Sequence, residues 1–430
     1  MKKFITIISA LLFTIILKLD SYSQLTNGWV EQYVSFDNQL NDVKFSDINN
    51  GVVVGNNGII LKTNNSGVNW NIISSGTSVN LNSISLTSSS IVYIAGDSGI
   101  ILRSTNNGSS WNVLNSSTSF NLKTIVFRSD ETGFAAGEVG TLLRTTDSGN
   151  NWIQTFSDTA VDFNSMSYLN NNFIWAVGQK NDSLFLDGLG YTIKSTDLGV
   201  TWIPVVPKLQ DIYYGSSIVF LDSLNGFSGF CSTVLDLGIL KTTNAGINWE
   251  CVGGTINCCP YSINFINSTT GFTMGHPGVG SAIFKTTDSG NGWYRSAVPF
   301  LTFLNSSFFV NNLTGWAAGN RILKTTNGGG FITNITKTSE ATPSEFSLHQ
   351  NYPNPFNPST LISFDIPNST EVKLIIYNSI GEELERLVDE VLQEGRYETK
   401  FDGSNYASGI YFYKLETEEY NRTMRMVLLK

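Results

Sequence analysis

The residues best suited to chemistry in this chain are acidic and aromatic side chains between positions 179 and 280. Two carboxylates flanking a glycosidic bond can hydrolyse it, and Asp182, Asp187 and Asp211 are the acids that such a site could use. No serine or cysteine nucleophile comes with a partner base. We therefore favour a binding surface over a catalytic site, and we expect no catalytic residue, metal or cofactor. The candidate binding residues are Phe185, Asp182, Asp187, Asp211, Tyr213, Tyr214 and His276.

The four cysteines fall within one 29-residue window, from Cys231 to Cys259. In an exported protein this clustering favours disulfide bonds. Because the adjacent Cys258 and Cys259 rarely bridge each other, we expect them to pair with Cys231 and Cys251, in an order that stays open. A zinc site is the alternative, although no histidine lies at ligand spacing.

A recurring turn motif organises the chain around these segments. It consists of a hydroxyl residue, Asp or Asn, Gly and Trp, as in the segment 195–202. The Asp or Asn side chain folds back onto backbone N–H groups, Gly accepts a positive φ, and the indole anchors the next strand. We expect a structural role for these residues, with calcium binding as the alternative. They are Asn65, Trp70, Asn106, Trp111, Asp147, Trp152, Asp197, Trp202, Asn244, Trp249, Asp288 and Trp293.

The motif returns about every 40 residues, a period typical of solenoids and propellers. Each unit also carries an apolar first strand, a second strand bounded by glycines, and a third strand that ends in Lys or Arg. The Trp opens a fourth strand. Four strands in each of seven units predict an all-β fold, a seven-bladed β-propeller over residues 24–335.

One tryptophan, Trp29, precedes the first repeat, and its spacing predicts how the ring closes. The distance from Trp to the first strand of the next unit is 16 residues in five of six cases, as from Trp70 to Leu86. Trp29 lies 16 residues before Phe45, although no unit precedes it, and the seventh unit lacks its own Trp. We therefore expect residues 29–34 to complete the last blade, with residues 331–335 as the alternative fourth strand.

The turn resembles the Asp-box of sialidase-like and sortilin-like propellers, and the whole repeat looks like photosystem II assembly-factor-like propellers. Sialidase chemistry, which this resemblance raises, would need an arginine cluster. Arg103 and Arg144 instead occupy the repeated third-strand position, and the Phe-Arg-Ile-Pro signature is absent. A carbohydrate-active enzyme on the same fold remains the alternative to a binding protein.

Loop length varies mainly in the connection between the second and third strands, which indicates one face of the ring as the binding face. The spacing between the second-strand end and the third-strand cation is seven residues in the first three units, but 16 from Gly178 to Lys194. Loops that vary on a rigid scaffold commonly carry binding. The candidate binding residues listed first lie in these longer loops or in the connection before the fifth unit, and neutral drift of the loops is the alternative.

The N-terminal residues predict export. Lys2 and Lys3, an apolar run over residues 4–17 and a Ser-Tyr-Ser stretch indicate a signal peptide over residues 1–23. That run is shorter than the about 20 residues of a membrane helix, and no transmembrane helix is expected. The net charge of −9 without a basic run argues against nucleic acid as a partner. We expect a monomer that binds an extracellular glycan or protein.

The tail differs in composition from the repeats. A polar linker over residues 336–345 precedes residues 346–430, where alternating apolar residues predict a small antiparallel, immunoglobulin-like β-sandwich. The segment Tyr-Pro-Asn-Pro-Phe-Asn-Pro at 352–358, the segment at 377–381 and the block at 407–413 closely resemble the type A sorting domain of the Bacteroidetes type IX secretion system. This resemblance implies a secretion translocon as partner, passage through the periplasm, and delivery to the cell surface or the medium.

Overall fold

The computed structural model describes residues 28–32, 38–87, 90–169, 172–181, 189–205, 214–231, 238–252, 260–275, 281–296, 302–329, 335–339, 342–403 and 406–430. The chain divides into two compact units, Met1–Gly329 and Gly330–Lys430. The described elements are strands apart from two one-turn 3₁₀-helices, Asn56–Gly58 and Asp97–Gly99. The all-β prediction is confirmed.

The described part of the first unit forms seven four-stranded antiparallel sheets, here called blades 1 to 7 and given from the inner to the outer strand. Blade 1 consists of Leu40–Phe45, Gly51–Gly55, Ile60–Thr63 and Asn71–Ile73. Blade 2 consists of Leu81–Leu86, Val92–Gly96, Ile101–Ser104 and Asn112–Leu114. Blade 3 consists of Leu122–Phe127, Gly133–Gly137, Leu142–Thr145 and Ile153–Phe156.

The remaining blades repeat this order. Blade 4 consists of Val161–Tyr168, Ile174–Lys180, Leu189–Ser195 and Ile203–Pro204. Blade 5 consists of Tyr214–Phe220, Gly226–Cys231, Ile239–Thr242 and Glu250–Val252. Blade 6 consists of Pro260–Phe265, Gly271–Gly275, Ala282–Thr286 and Tyr294–Ser296. Blade 7 consists of Leu304–Phe309, Gly315–Gly319, Ile322–Thr325 and, from the N-terminal end, Val30–Gln32.

The inner strand of each blade packs against those of both neighbours, and blade 7 returns to blade 1, so the ring is closed. The second strands lie between neighbouring blades and are buried at every described position in blades 1 to 3, 6 and 7. That burial on both faces explains their continuous apolar runs, such as Gly133–Gly137. The first unit is a β-propeller, and within each sheet the strands follow the predicted order.

The N-terminal strand closes the ring, as the spacing of Trp29 predicts. Val30 pairs with Lys324 and Gln32 with Ile322, so Val30–Gln32 is the outer strand of blade 7. The indole of Trp29 is fully buried, donates to Ser296 Oγ at 3.2 Å, and meets Phe309 edge-on with centroids 5.6 Å apart. The alternative, in which residues 331–335 supply this strand, is wrong because Val30–Gln32 already pairs there.

The C-terminal unit consists of two four-stranded antiparallel sheets. The first contains, in spatial order, Ile335–Ser339, Gly395–Asp402, Ser359–Ile366 and Ser347–Leu348. The second contains Glu383–Leu392, Thr370–Tyr377, Gly409–Glu416 and Asn421–Leu428. Side chains from both sheets, including Phe364, Phe401, Leu374 and Tyr413, share one core. The unit is a β-sandwich, and its immunoglobulin-like character stays a prediction.

Two features of this unit differ from the sequence expectations. Residues 336–339 do not form a linker, because Ile335–Ser339 pairs along Gly395–Asp402 as an edge strand of the first sheet. The strand Glu383–Leu392 does not show the alternation of apolar residues on which the sandwich prediction rests, because its charged residues obscure that alternation.

The proline-rich segment at 350–358 covers the edge of the last strand. Asn354 accepts from Val427 N through Oδ1 at 3.0 Å, and Phe356 N donates to Val427 O at 2.9 Å. Leu429 N in turn donates to Phe356 O at 3.0 Å, and the Phe356 ring is buried in the core. These bonds satisfy backbone groups that an edge strand would otherwise expose.

We expect Trp29→Ala to destabilise the propeller by about 3–5 kcal/mol, because a fully buried indole leaves a cavity when truncated. Val30→Ala is the matched control on the same strand, since the Val30 side chain is 48% exposed. Chemical unfolding of the full chain, followed by tryptophan fluorescence, measures both. Equal stability of the two variants would show that this strand does not close the ring.

Candidate functional site

Every inner strand carries a β-bulge at an equivalent register. The bulge follows the first paired residue of the inner strand in five blades, the third in blade 4 and the second in blade 5. A bulge leaves one residue outside the ladder and redirects its side chain. These side chains line a central channel of about 360 Å³. The seven residues, here called the bulge ring, are Asn41, Asn82, Lys123, Asn164, Ser216, Tyr261 and Asn305.

Bulge-ring side chains connect neighbouring blades through backbone carbonyls at most of the junctions. Asn41 Nδ2 donates to Leu81 O at 2.9 Å, and Asn305 Nδ2 donates across the closing junction to Leu40 O at 2.8 Å. Five of the junctions are bridged in this way among the described residues. The other three bonds are Asn82 to Leu122 O, Asn164 to Gly215 O and Ser216 to Pro260 O.

In blades 1, 2, 4 and 5, the next residue along the inner strand accepts from a backbone N–H of the following blade. Asp42 Oδ2 accepts from Ile84 N at 2.7 Å, and Ser217 Oγ accepts from Ile263 N at 3.1 Å. Ser83 and Ser165 accept in the same way from Ile125 N and Ile218 N. Because each inner strand is the edge of its sheet, its free N–H and C=O groups need such partners.

Asp42 joins three blades at the point where the ring closes. Its Oδ1 accepts from Ser306 Oγ of blade 7 at 2.6 Å and from Val43 N at 2.8 Å, while Oδ2 accepts from Ile84 N of blade 2. Lys44 Nζ lies 3.3 Å from Oδ1. Among the described residues that line the channel, Asp42 is the one carboxylate. A carboxylate with both oxygens held by such donors is a structural acceptor.

The two ends of the channel differ in character. At the bulge-ring end, Lys123 lies 3.1 Å from Glu138 Oε1 and 3.8 Å from Asp97 Oδ1. At the opposite end, Tyr168, Val126 and Phe308 form a more apolar wall. Each inner strand begins beside the loop that joins the second and third strands of its blade, as the hydrogen bond from Asp97 N to Asn80 O shows in blade 2. It ends beside the repeated turns. The bulge ring therefore opens towards the face that carries the longer loops.

The repeated turns have the same hydrogen bonds in successive blades. In blade 4, Ser195 Oγ accepts from Gly199 N at 2.8 Å and donates to Asp197 Oδ1 at 2.8 Å, and Asp197 Oδ1 accepts from Thr201 N at 2.9 Å. Thr63, Asn65 and Gly67 are joined in the same way in blade 1. The turn residues thus bond within their own turn, as a structural role requires.

Hydrogen bonds from Thr201 and Ser195 lower the pKa of Asp197 to about 2. The side-chain hydroxyl of Thr201 has the largest effect, followed by its backbone N–H and then by the Ser195 hydroxyl. These donors favour the charged carboxylate. Asp147 has its pKa lowered for the same reason, first by the side chain of Asn151.

Each turn is also clamped by the preceding blade. The φ of Gly199 is +73°, and a Cβ there would lie 2.5 Å from the Phe134 ring of blade 3. Arg144 of blade 3 donates from Nε to Leu198 O at 2.8 Å, and Arg103 of blade 2 donates to Ser148 O at 2.9 Å. The third-strand cations therefore hold neighbouring turns, and they do not form an anion-binding cluster with each other.

Most of the binding residues predicted from sequence lie outside the described residues. This applies to Asp182, Phe185, Asp187, Asp211, Tyr213 and His276. Tyr214 begins the inner strand of blade 5, but its side chain is not described. The proposal that these residues bind a ligand stays a prediction.

The cysteine prediction is only partly within the described structure. Cys258 and Cys259 lie outside it, and Cys231 is described only as the end of the strand Gly226–Cys231. Cys251 forms no disulfide with any described residue, and burial raises the pKa of its thiol. Within the described ranges, no three His, Cys, Asp or Glu side chains gather as a metal site would require.

The bulge ring is the feature that sequence reasoning missed. Its signal was present as a recurring apolar-Asn-Ser or apolar-Asn-Asp triplet at 40–42, 81–83, 163–165 and 304–306. In a regular strand, consecutive residues point to opposite faces. Only a bulge in every blade brings the second and third residues of the triplet to the same lumen.

Family models match two parts of the chain. Residues 22–118 match the model described as photosynthesis system II assembly factor YCF48. Residues 350–429 match the model described as a secretion system C-terminal sorting domain. No curated protein matches the sequence. The sorting domain indicates export by type IX secretion to the cell surface or beyond, and no helix among the described residues could span a membrane.

Solved structures share the propeller fold at low sequence identity. "YCF48 bound to D1 peptide" is 18% identical with a TM-score of 0.57, covering 70% of this chain and 97% of its own. YCF48 from Cyanidioschyzon merolae is 17% identical with a TM-score of 0.55, covering 69% and 98%. A GH74 xyloglucanase from Xanthomonas campestris is 11% identical with a TM-score of 0.55, covering 93% and 67%. These likenesses extend to the fold alone.

We expect Asp197→Ala to lower the melting temperature in a pH-dependent way. The folded-state pKa of about 2 lies below the ordinary 3.8, so the carboxylate stabilises the fold above pH 4. That contribution is lost as the pH falls through 2. The difference in melting temperature between the parent protein and the variant should therefore shrink between pH 4 and pH 2.

Asn244→Ala is the control, because Asn244 accepts equivalent bonds in blade 5 through an amide that does not titrate. Its difference from the parent protein should stay constant over this pH range. Parallel behaviour of the two variants would contradict the assigned role of the Asp197 charge.

Proposed function

We propose that this chain is an exported binding protein whose propeller recognises an extracellular glycan or protein. The observation that carries this proposal is the channel, which is open to solvent and lined by amide and hydroxyl groups from all blades. Ligand sites are concave and use a few convergent polar groups. The C-terminal unit supplies the route of delivery, and its match to a sorting domain supports this role.

The described channel favours binding over hydrolysis. Glycoside hydrolysis generally needs two carboxyl groups about 5–9.5 Å apart, one of them able to donate a proton. The channel offers Asp42 alone among its described lining residues, and both of its oxygens accept protein hydrogen bonds. A related propeller, YCF48, has been solved with a bound peptide, which supports recognition as a use of this fold.

We also propose that the longer loops of blades 4 to 6 contribute to the same binding face. The bulge ring opens towards that face, so a ligand in the channel would reach the loops that contain Asp182, Phe185 and Asp187. Propeller architecture supports this arrangement, because its second-to-third connections surround the channel mouth.

Binding is tested with the full exported chain on an array of neutral, sialylated and sulfated oligosaccharides, and by cross-linking to surface proteins of the producing cells. We expect saturable binding to one of these ligand classes. The same oligosaccharides are incubated with the protein and analysed for cleavage. Turnover would replace the binding proposal with the hydrolase alternative. If the protein neither binds nor cleaves any of these ligands, the binding proposal is refuted.

Delivery is tested by deleting residues 335–430, a boundary that removes the whole C-terminal sandwich including its edge strand Ile335–Ser339. We expect the propeller to accumulate in the periplasm. Fusion of residues 335–430 to an unrelated periplasmic protein should bring that protein to the surface. Normal export of the truncated chain would refute the assignment of delivery to this unit.

A further inference from the structure

We propose that the bulge ring binds a neutral sugar residue of a glycan chain. This inference rests on the proposed binding function and names its ligand class. It starts from the orientation of four amide groups, those of Asn41, Asn82, Asn164 and Asn305, which stand at the same register position in four blades.

The backbone fixes which way these amides face. Each Nδ2 donates to a main-chain carbonyl of the next blade at 2.8–2.9 Å, and a carbonyl can only accept. The NH₂ group therefore points to the neighbouring strand, and the amide oxygen points away from it. No donor among the described residues reaches any of the four Oδ1 atoms. All four residues line the channel, so we assign their amide oxygens as the acceptors for a ligand there.

The four amide oxygens belong to residues at the same height along the channel axis, and this arrangement restricts which ligands can bind to all of them. An extended peptide directs its N–H groups to two opposite sides and repeats each side only about every 7 Å. It can therefore serve at most two of the four oxygens at one level. A pyranose ring carries hydroxyl donors around its whole perimeter, close to one plane. Donors that radiate from one ring match acceptors that converge from four blades.

The charges around the ring favour a neutral sugar. Lys123 is the one charged member of the bulge ring, and Glu138 and Asp97 lie within 3.8 Å of its ammonium group. Lys44, at the other end, lies against Asp42 and 5.5 Å from the centroid of Phe308. Neither lysine is left as an uncompensated cation for a carboxylated or sulfated sugar.

The far end of the channel suits the apolar side of a sugar. Tyr168 and Phe308 are only partly buried and form its wall together with Val126. Sugar C–H groups pack well on such aromatic faces. The part of the channel that the bulge ring lines has a volume of about 360 Å³, at the small end of the range for ligand sites. The channel thus fits a chain end that enters from the loop face.

The test uses the full exported chain on the array of neutral, sialylated and sulfated oligosaccharides, followed by calorimetric titration of the strongest neutral binder. The variant N164L/N305L removes two acceptors and should weaken binding by at least about tenfold. V126W adds bulk to the channel wall and removes no side chain that makes an interblade bond, so it should abolish binding. Because Val126 also packs against the core that contains Phe134, its melting curve has to show a folded propeller before titration. Asn112→Leu is the matched control, because Asn112 is exposed on an outer strand.

Melting curves establish that each variant is folded before it is titrated. Neutral-glycan binding that survives V126W would overturn the channel site and leave the proposed binding function intact, with the ligand bound elsewhere. Selective binding of anionic sugars, or of a protein alone, would overturn the neutral-sugar inference in the same way. The absence of any ligand would refute the proposed function itself.

Discussion

The structure of the propeller depends on satisfying the inner edges of its sheets. Seven strands face a common lumen, and each presents backbone N–H and C=O groups that no ladder can pair. The chain meets this requirement from the neighbouring blade, with an amide or hydroxyl for the carbonyl and a carboxylate or hydroxyl for the N–H. The same residues give the lumen its polarity, so the stability of the ring and the character of the candidate site have one origin.

Farther from the lumen, the blades are held together by a second repeating interaction, the stacking of aromatic side chains. The first-strand aromatic stacks on a second-strand aromatic of the preceding blade, as Phe45 does on Trp316 at 3.5 Å, and meets the Trp of its own blade edge-on, as with Trp70. Trp29 takes this edge-on position in blade 7. The position of Trp29 near the N-terminus does not by itself suggest that it belongs to blade 7. The constant spacing from each Trp to the next first-strand aromatic residue does, because every blade places its indole against the aromatic ring of its own first strand.

The sequence was informative where one residue type has one geometric use. The turn glycines and tryptophans predicted the repeat, its strand order and its closure, because few other residues tolerate those positions. Asn and Ser of the inner strands were uninformative, since either fits an ordinary strand and only the bulges give them a common direction. Charged residues concealed the strand Glu383–Leu392, and the pairing of Ile335–Ser339 depends on a partner some 60 positions away, at Gly395–Asp402.

Both units are completed by joining an early segment to a late one. Val30–Gln32 needs Ile322–Thr325, and the proline-rich segment at 350–358 needs the last strand, Asn421–Leu428. A nascent chain therefore cannot complete the propeller before Ile322–Thr325 is synthesised, or the C-terminal unit before Asn421–Leu428 is synthesised. A chain interrupted before Asn421–Leu428 would carry a C-terminal unit that lacks the strand covered by the proline-rich segment.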